Sequence, residues 1–159
     1  TETVIASAYT VGLDLLTTIK DVVVVLTSPA NDFVDNIYNL LAFIDNVQTN
    51  SFNLLKVTPT KVPQTNPGIS LIEDDCEKTC RQFVRAGVFA PGTWILTDFF
   101  GDREQFLDAI KSDGFYVLAG SLADQSSADR QNRLSPVIQI AVKNAGAVHK
   151  ENIIISFNK

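Results

Sequence analysis

Several residue types are scarce in this chain, and each scarcity excludes a class of protein. Among 159 residues there is no methionine, one histidine and two cysteines. Two cysteines exclude a small protein held together by several disulfides. The single histidine, His149, provides too few ligands for a histidine-rich metal site and is the one residue available to a Ser–His–acid arrangement. Neither G-x-x-x-x-G-K-[ST] nor G-x-G-x-x-G occurs, so the common phosphate-binding loops are absent from the sequence.

Long apolar runs and surplus positive charge are also missing. No apolar run is longer than that of residues 22–26, which is far shorter than the roughly 18 residues of a membrane-spanning helix. The 13 basic residues are outnumbered by 18 acidic residues, which gives a formal net charge of −5 at pH 7. Binding along a nucleic acid requires a surplus of lysine and arginine that neutralises phosphates. We therefore expect neither a membrane nor a nucleic acid among the partners.

The chain does have enough apolar side chains for a core. Hydrophobic residues make up 45% of the sequence and charged residues 19%, which is typical of compact globular domains. The length fits one domain of roughly 100–200 residues, so we predict a single α/β domain over residues 1–159. Because no initiating methionine is present, we interpret the chain as part of a longer protein.

Helical patterns recur in four segments. In residues 32–47 the apolar side chains fall on one stripe with the 3.6-residue period of a helix. Asp102, followed three residues later by Gln105, is a typical helix N-cap. Gly87 and Gly114 stand where helices end. These patterns predict helices over 3–20, 32–47, 73–86 and from residue 102 to residue 114.

Short apolar or alternating runs predict the strands. The valine-rich segment 21–26 favours a central parallel strand, because its apolar side chains cover both faces. The other predicted strands are 52–57, 94–96, 115–118, 137–143 and 153–157, with a short strand or turn at 69–72 and a proline-rich loop over 58–68. Helices that alternate with strands predict an α/β fold with a mixed, partly parallel sheet flanked by helices. The last two strands are close enough in sequence to form a C-terminal antiparallel pair.

Residues that commonly carry chemistry are present but do not form a recognisable site. Cys76 and Cys80 are one helical turn apart and are predicted to be buried free thiols, packed as small hydrophobic groups. His149 is predicted to lie at the surface or in an interface. Helix capping and the helix dipole account for the acidic residues near predicted helix starts, which are Asp74, Asp75, Asp98, Asp102 and Glu104. We therefore predict no catalytic, cofactor-binding or metal-binding residue, and no cofactor.

Charge is distributed unevenly between the two halves of the chain. Residues 1–79 carry 4 basic and 10 acidic side chains, while residues 80–159 carry 9 basic and 8 acidic ones. The difference is either ordinary surface variation or a sign that opposite faces of like subunits attract each other. Arg130 and Arg133 flank a polar segment before Pro136. They are either solvated or in contact with a neighbouring subunit, since guanidinium groups pair well with carboxylates.

From about residue 69 onward, several stretches form a recognisable set: Cys76–Cys80 with Gln82–Val88, Pro91–Trp94, Gly114–Val117, Gln125–Arg130, Arg133–Pro136 and, most specifically, Ile138–His149, which a terminal apolar strand follows. These stretches resemble a family of phage structural proteins encoded among contractile-tail genes and described as tail sheath or sheath-like. The resemblance covers a little over half of the chain. It implies that the chain is the C-terminal portion of a longer sheath subunit, a structural protein without an active site.

The resemblance also implies how the protein assembles. Sheath subunits stack as a helical polymer around the tube of a contractile bacteriophage tail, so the implied partners are further copies of the chain, the tail tube protein, and the baseplate and tail terminator proteins. The implied location is the virion, assembled in the cytoplasm of the host bacterium. In the wider sheath group, terminal arms add strands to the sheets of neighbouring subunits. By this analogy the hypothetical subunit interface includes the terminal residues Ile153, Ile154, Ile155, Ser156 and Phe157. Arg130 and Arg133 are added to it for their ability to pair with carboxylates.

Three alternatives remain open from the sequence. The strand at 153–157 pairs within its own domain, for example with 137–143. The protein is another tail component, such as a tube, baseplate or terminator protein. It is an α/β enzyme of the hydrolase-like or nucleotide-binding type, which predicts a concave pocket with convergent polar groups. A structural subunit instead predicts large apolar contacts between copies.

Overall fold

The structure is a computed structural model that describes residues 7, 10, 13, 15–19, 21–26, 33–148 and 153–156. The chain divides into two compact units, Thr1–Thr49 and Asn50–Lys159. The division falls inside the first long helix, α1, which spans Val34–Val57. His149 and Phe157 lie outside the described residues.

The described part of the first unit contains a β-hairpin as well as the beginning of α1. Strands β1 (Leu15–Ile19) and β2 (Val22–Leu26) pair antiparallel with each other. Asp21 lies in the tight turn between them with a φ of 65°. Such left-handed backbone is what a short hairpin turn requires.

This hairpin corrects two predictions. The strand predicted at 21–26 is confirmed, but its partner in the structure is antiparallel. The helix predicted over 3–20 is wrong at residues 15–19, although Ser7 and Thr10 are helical. Threonine and isoleucine at positions 17–19 restrict χ1 and favour a strand, and this preference outweighs the approximate helical spacing of the apolar residues.

Helix α1 is longer than its sequence pattern predicted. The helix predicted over 32–47 is confirmed, but it continues to Val57, so the strand predicted over 52–57 is wrong. Leu54, Leu55 and Lys56 are strong helix formers. At the end of the helix the Leu54 carbonyl accepts bonds from the backbone N–H and the hydroxyl of Thr58, at 3.2 and 2.7 Å.

Helix α2 (Asn66–Arg85) begins earlier than predicted. Thr65 is its N-cap, and the hydroxyl accepts a bond from the Gly68 N–H. Pro67 falls in the first turn, where a missing N–H costs nothing, so the helix includes this proline. The strand or turn predicted at 69–72 is therefore wrong, and the helix predicted at 73–86 is confirmed within a longer one.

The early start of α2 also changes the explanation for two acidic residues. Asp74 and Asp75 lie in the middle of the helix, so the helix-dipole explanation for them is wrong. At the other end of α2, Ala86 is the C-cap and Gly87 has a φ of 75°, as predicted for a helix terminus.

The second unit is completed by helix α3 and a two-stranded sheet. Helix α3 (Arg103–Asp113) begins at the predicted cap, where the Asp102 carboxylate accepts the Gln105 N–H at 3.0 Å, and it ends at Gly114. Strands β3 (Phe115–Ala119) and β4 (Ile138–Val142) pair antiparallel. Both strand pairs of the described residues are antiparallel, so they do not provide the parallel pairing that was predicted.

Helices α2 and α3 pack on opposite faces of the β3–β4 sheet. On one face the Arg81 guanidinium of α2 lies 5.9 Å from the ring centroid of Phe115. On the other face the rings of Phe106 and Tyr116 are 5.3 Å apart. Because successive side chains of a strand alternate between faces, the neighbours Phe115 and Tyr116 contact different helices.

The core beside α3 is built around Phe106 and Ile110, which are both fully buried. Trp94 and Phe100 lie edge-on to Phe106, at centroid distances of 5.2 and 5.4 Å. The Trp94 indole N–H donates to the Asp98 carbonyl at 2.9 Å. The strand predicted at 94–96 is wrong, because this segment is a loop whose aromatic residues pack onto α3.

The connection from β3 to β4 contains two short helical pieces. A 3₁₀ turn spans Leu122–Asp124, and helix α4 spans Ser127–Gln131. Ser121 and Ser126 cap them by accepting backbone N–H groups. The strands predicted at 115–118 and 137–143 are confirmed as β3 and β4.

Candidate functional site

The outer edge of β4 is a surface with unpaired backbone groups. The Lys143 N–H donates to Gly114 O at 2.8 Å, and the Gly120 N–H donates to Val137 O at 2.9 Å. With the observed register, these bonds place Ala141 and Gln139 in hydrogen-bonded pairs with β3. The backbone N–H and C=O groups of Ile138, Ile140 and Val142 therefore point away from β3, and no strand of the described residues pairs with them.

The outer edge of β3 is partly closed by a side chain of α2. Glu73 Oε1 accepts a hydrogen bond from the Ala119 backbone N–H at 3.0 Å. A carboxylate at this position blocks a backbone donor and adds negative charge, and both features discourage a further strand. Of the two sheet edges, β4 is the one that the described residues leave open.

The apolar segment near the C-terminus forms no strand in this chain. Residues 153–156 have no regular secondary structure, so neither the predicted strand nor its pairing with residues 137–143 is found there. Ile153, Ile154 and Ile155 are exposed by 69%, 86% and 86%. Three consecutive exposed isoleucines are unusual for a soluble surface and typical of a contact with another chain. Phe157, the last residue of the predicted strand, lies outside the described residues.

The two arginines predicted at an interface flank the end of α4. Arg130 lies in the helix and Arg133 just beyond it, and both side chains are exposed. The ion pair between Arg81 and Glu77 is the one salt bridge found among the described residues, so neither Arg130 nor Arg133 has a carboxylate partner there. Their guanidinium groups are free to pair with another molecule.

A groove lies between the C-terminal part of α1 and the middle of α2, with a volume of about 480 Å³. Its walls carry both apolar and polar side chains, which include Asn53, Val57, Asp75, Lys78 and Gln82. Asp75 Oδ2 is shielded from solvent and has no hydrogen-bond partner among the described residues. Sequence reasoning missed this groove, because α1 was predicted to end before the residues that form it.

The two cysteines are buried in α2 as free thiols, which confirms the prediction for their packing. Burial raises the pKa of the Cys80 thiol to about 12, and the neighbouring Cys76 and Glu77 add to this increase. Burial also raises the pKa of Cys76, although a hydrogen bond with Ser51 acts in the opposite direction. A thiol with a raised pKa is a poor nucleophile and a poor metal ligand, so these cysteines act as core residues.

The described residues contain no cluster of three or more histidine, cysteine, aspartate or glutamate side chains placed to hold a metal ion. None of their helices is long and apolar enough to cross a membrane. What stands out in this part of the chain is an open strand edge, an exposed apolar segment, two arginines without a carboxylate partner and a groove.

Comparison with known proteins identifies the family of the chain. Residues 34–157 match the family model described as "E217 tail sheath protein gp31-like, C-terminal domain". The match covers most of the chain, including β3, β4 and both arginines. The chain therefore belongs to the E217 tail sheath protein gp31-like C-terminal domain family and is a phage tail-related structural protein.

A solved structure shows the same fold. A chain of the 6-fold symmetrised cryo-EM structure of the anti-feeding prophage (AFP) baseplate aligns with a TM-score of 0.53 and 13% sequence identity. The alignment covers 100% of the present chain and 39% of the AFP chain. No curated protein matches the sequence.

Proposed function

We propose that this chain is the C-terminal part of a tail sheath subunit that polymerises helically around the tube of a contractile bacteriophage tail. The matched family supports this proposal by its description as a tail sheath C-terminal domain. The main structural support for self-assembly is the open outer edge of β4. The exposed apolar segment at 153–156 is a candidate to bind such an edge. In such an assembly the chain contacts further copies of itself, the tail tube protein, and the baseplate and terminator proteins.

The mechanism of assembly is strand addition between copies. The outward N–H and C=O groups of Ile138, Ile140 and Val142 accept an extended segment, and residues 153–157 of a neighbour supply it. The donated isoleucines then leave water, at roughly 25 cal/mol per Å² of apolar surface. Arg130 and Arg133 add charged contacts at the same subunit boundary. The assembled protein is located in the virion after assembly in the host cytoplasm.

Removal of the C-terminal segment tests this mechanism. A chain that ends at Glu151 is expected to unfold at an unchanged denaturant midpoint, because residues 153–156 are exposed and unpaired in the single chain. The same truncation is expected to abolish tubes or rings in electron micrographs. Loss of folding on truncation would instead mean that the segment belongs to its own sheet.

A proline in β4 tests the receiving edge. Ile140→Pro removes an N–H that points away from β3, so it blocks strand addition while the β3–β4 hydrogen bonds remain. Ile140→Ala is the matched control, since it loses apolar surface but keeps the N–H. We expect polymer formation by the alanine variant and not by the proline variant. Equal polymer formation by both variants would contradict strand addition at this edge.

A baseplate component is the second candidate, because the structural match is to a chain of the AFP baseplate. The two functions predict different assemblies. A sheath subunit forms tubes of variable length, whereas a baseplate subunit forms closed rings or discrete complexes. Negative-stain electron micrographs of the purified chain, alone and mixed with a tail tube protein, distinguish them.

A further inference from the structure

Asp75 is a half-buried acidic side chain in the wall of the groove between α1 and α2. Its Oδ2 atom is out of contact with solvent and accepts no hydrogen bond from the described part of the chain. A shielded carboxylate oxygen without a donor costs free energy, and such atoms are rare in folded proteins. The groove therefore contains an acidic side chain that lacks a donor, and rotation of its carboxylate turns Oδ2 toward the groove.

The neighbours of Asp75 do not satisfy this need. Lys78 lies one helical turn further on, is exposed and forms no ion pair in the described residues. The Asn50 amide donates to Thr79 Oγ1 at 2.9 Å. Asn53 and Gln82 add amide groups to the same groove, and their carbonyl oxygens are further acceptors for a donor with several N–H groups.

Arg133 is held in a conformation that presents its side chain to solvent. It has a φ of 58°, in the left-handed region that a non-glycine residue adopts only when its surroundings enforce it. The next residue provides that restraint, because the Leu134 carbonyl accepts bonds from the side chains of Gln64 and Gln125, both at 2.8 Å. The Leu134 N–H also donates to Asp129 O at 3.0 Å. A fixed backbone reduces the entropy that the arginine loses on binding.

We propose that Arg133 of one copy enters the groove of a second copy and pairs with Asp75. The guanidinium supplies the donors that Asp75 lacks, and the carboxylate torsion is soft enough to turn both oxygens toward it. This inference rests on the self-assembly proposed above and names one pair of surfaces that takes part. A head-to-tail arrangement of this contact generates an open polymer or a ring, as the assembly proposed above requires.

Neutral substitutions at both ends of the proposed pair test it. We would measure association of the 159-residue chain by sedimentation velocity across a concentration series. Asp75→Asn and Arg133→Asn are each expected to weaken association about tenfold or more. Asparagine is suitable at position 133 because it tolerates a positive φ, so the turn stays folded. Asp74→Asn is the matched control, since this neighbouring acid is exposed and outside the groove.

A substitution at Lys78 tests whether the group that enters the groove is positively charged. Removing this cation by Lys78→Gln is expected to strengthen association, because a like charge no longer opposes the guanidinium. If the groove instead accepts a carboxylate, Lys78→Gln weakens association and Asp75→Asn strengthens it, which would overturn the proposal. The double variant Asp75→Arg with Arg133→Asp is expected to associate like the wild-type chain, although each single charge reversal does not.

The outcomes separate this contact from the broader assembly. If the wild-type chain polymerises and the two asparagine variants polymerise equally well, the Arg133–Asp75 contact is wrong and the proposed function stands. If the wild-type chain remains monomeric at all concentrations, self-assembly and this contact are both wrong. A mixture of Asp75→Asn and Arg133→Asn chains is expected to associate more strongly than either variant alone, since each mixed pair contains one intact donor and one intact acceptor.

Discussion

The side-chain amide of Asn50 donates a hydrogen bond to Thr79 Oγ1 over 2.9 Å and thereby joins α1 to α2. Thr79 is 1% exposed, and its hydroxyl donates in turn to the Asp75 carbonyl at 3.0 Å. Next to this bond, the Ser51 hydroxyl interacts with the Cys76 thiol and opposes the rise of its pKa. The seam between the two helices in the second unit is therefore polar, while apolar residues of α1 such as Phe52 and Leu55 are exposed.

This seam predicts a coupled effect of Asn50 and Thr79 on stability. Asn50→Ala is expected to lower the free energy of unfolding by about 1–2 kcal/mol, because a buried hydroxyl loses its donor. Thr79→Val removes the hydroxyl, so a subsequent Asn50→Ala should cost less. A double-mutant cycle by urea denaturation measures the interaction. Additive effects of the two substitutions would show that the hydrogen bond contributes nothing.

Burial predicts that substitutions at Ile110 and Leu55 differ strongly in their effect on the free energy of unfolding. Ile110 is fully buried, so Ile110→Ala is expected to cost about 2–5 kcal/mol of stability. Leu55 is 57% exposed, and Leu55→Gln is expected to change stability by less than about 0.5 kcal/mol. Denaturant unfolding of both variants checks this, with far-UV circular dichroism as the control for folding. A cost for Leu55→Gln as large as that for Ile110→Ala would contradict the observed exposure.

The buried cysteines predict a loss of stability in alkali. The pKa of Cys80 is about 12 in the folded chain, while the ordinary value is 9.0, and burial is the main cause. Between these values the unfolded chain releases the proton and the folded chain keeps it, so the free energy of unfolding falls as pH rises. Below the ordinary value this contribution is constant. Cys80→Ala should reduce the slope, as measured by denaturant midpoints at several alkaline pH values.

The same burial predicts slow chemical labelling of the thiols. In the native chain, Cys76 and Cys80 are expected to react with a thiol reagent only after unfolding, because they are shielded and protonated. Labelling should become complete in denaturant. Rapid modification of both thiols under native conditions at neutral pH would contradict the structure.

We expect that Gly114, between α3 and β3, cannot be replaced by a residue with a side chain without a loss of stability. Its φ is 81°, and a Cβ there would lie 2.6 Å from the carbonyl carbon of Ala90. Gly114→Ala is therefore expected to cost more than the roughly 1 kcal/mol of an unfavourable backbone conformation, because a steric clash is added. Gly87 is the matched control, since it also has a positive φ but nothing within 4 Å of its Cβ position. Similar losses for Gly87→Ala and Gly114→Ala would show that the clash with Ala90 is relieved.

Local signals in the sequence were reliable where one residue type decides the backbone. Asp102 with Gln105, and Gly114 after Asp113, defined both ends of α3 because capping depends on neighbouring residues alone. The alternation of apolar and polar side chains before Lys143 predicted β4, because a strand exposes successive side chains on opposite faces. Pro67 was misinterpreted because its effect depends on its position in the helix, and that position was set by Thr65.

The candidate site divides in a similar way. The sequence offered Arg130, Arg133 and the apolar segment near the C-terminus as candidate contact residues, the arginines through their chemistry and the segment through the family resemblance. It did not indicate the groove around Asp75. The groove forms only where the end of α1 packs beside the middle of α2, and these two segments are not adjacent in the sequence. The sequence also did not reveal which edge of the sheet is open. That edge follows from the register of β3 and β4 and from the bond between Glu73 and Ala119.

The sequence by itself determined the two ends of α3, the C-terminal end of α2, the strands β2, β3 and β4, the burial of the cysteines and the family. These features depend on short-range patterns of side chains. Tertiary structure decided the direction of strand pairing, the length of α1 and the exposure of its apolar residues. It did so because periodicity says which residues share one face of a helix, and only packing determines whether that face meets a core or remains open to another chain.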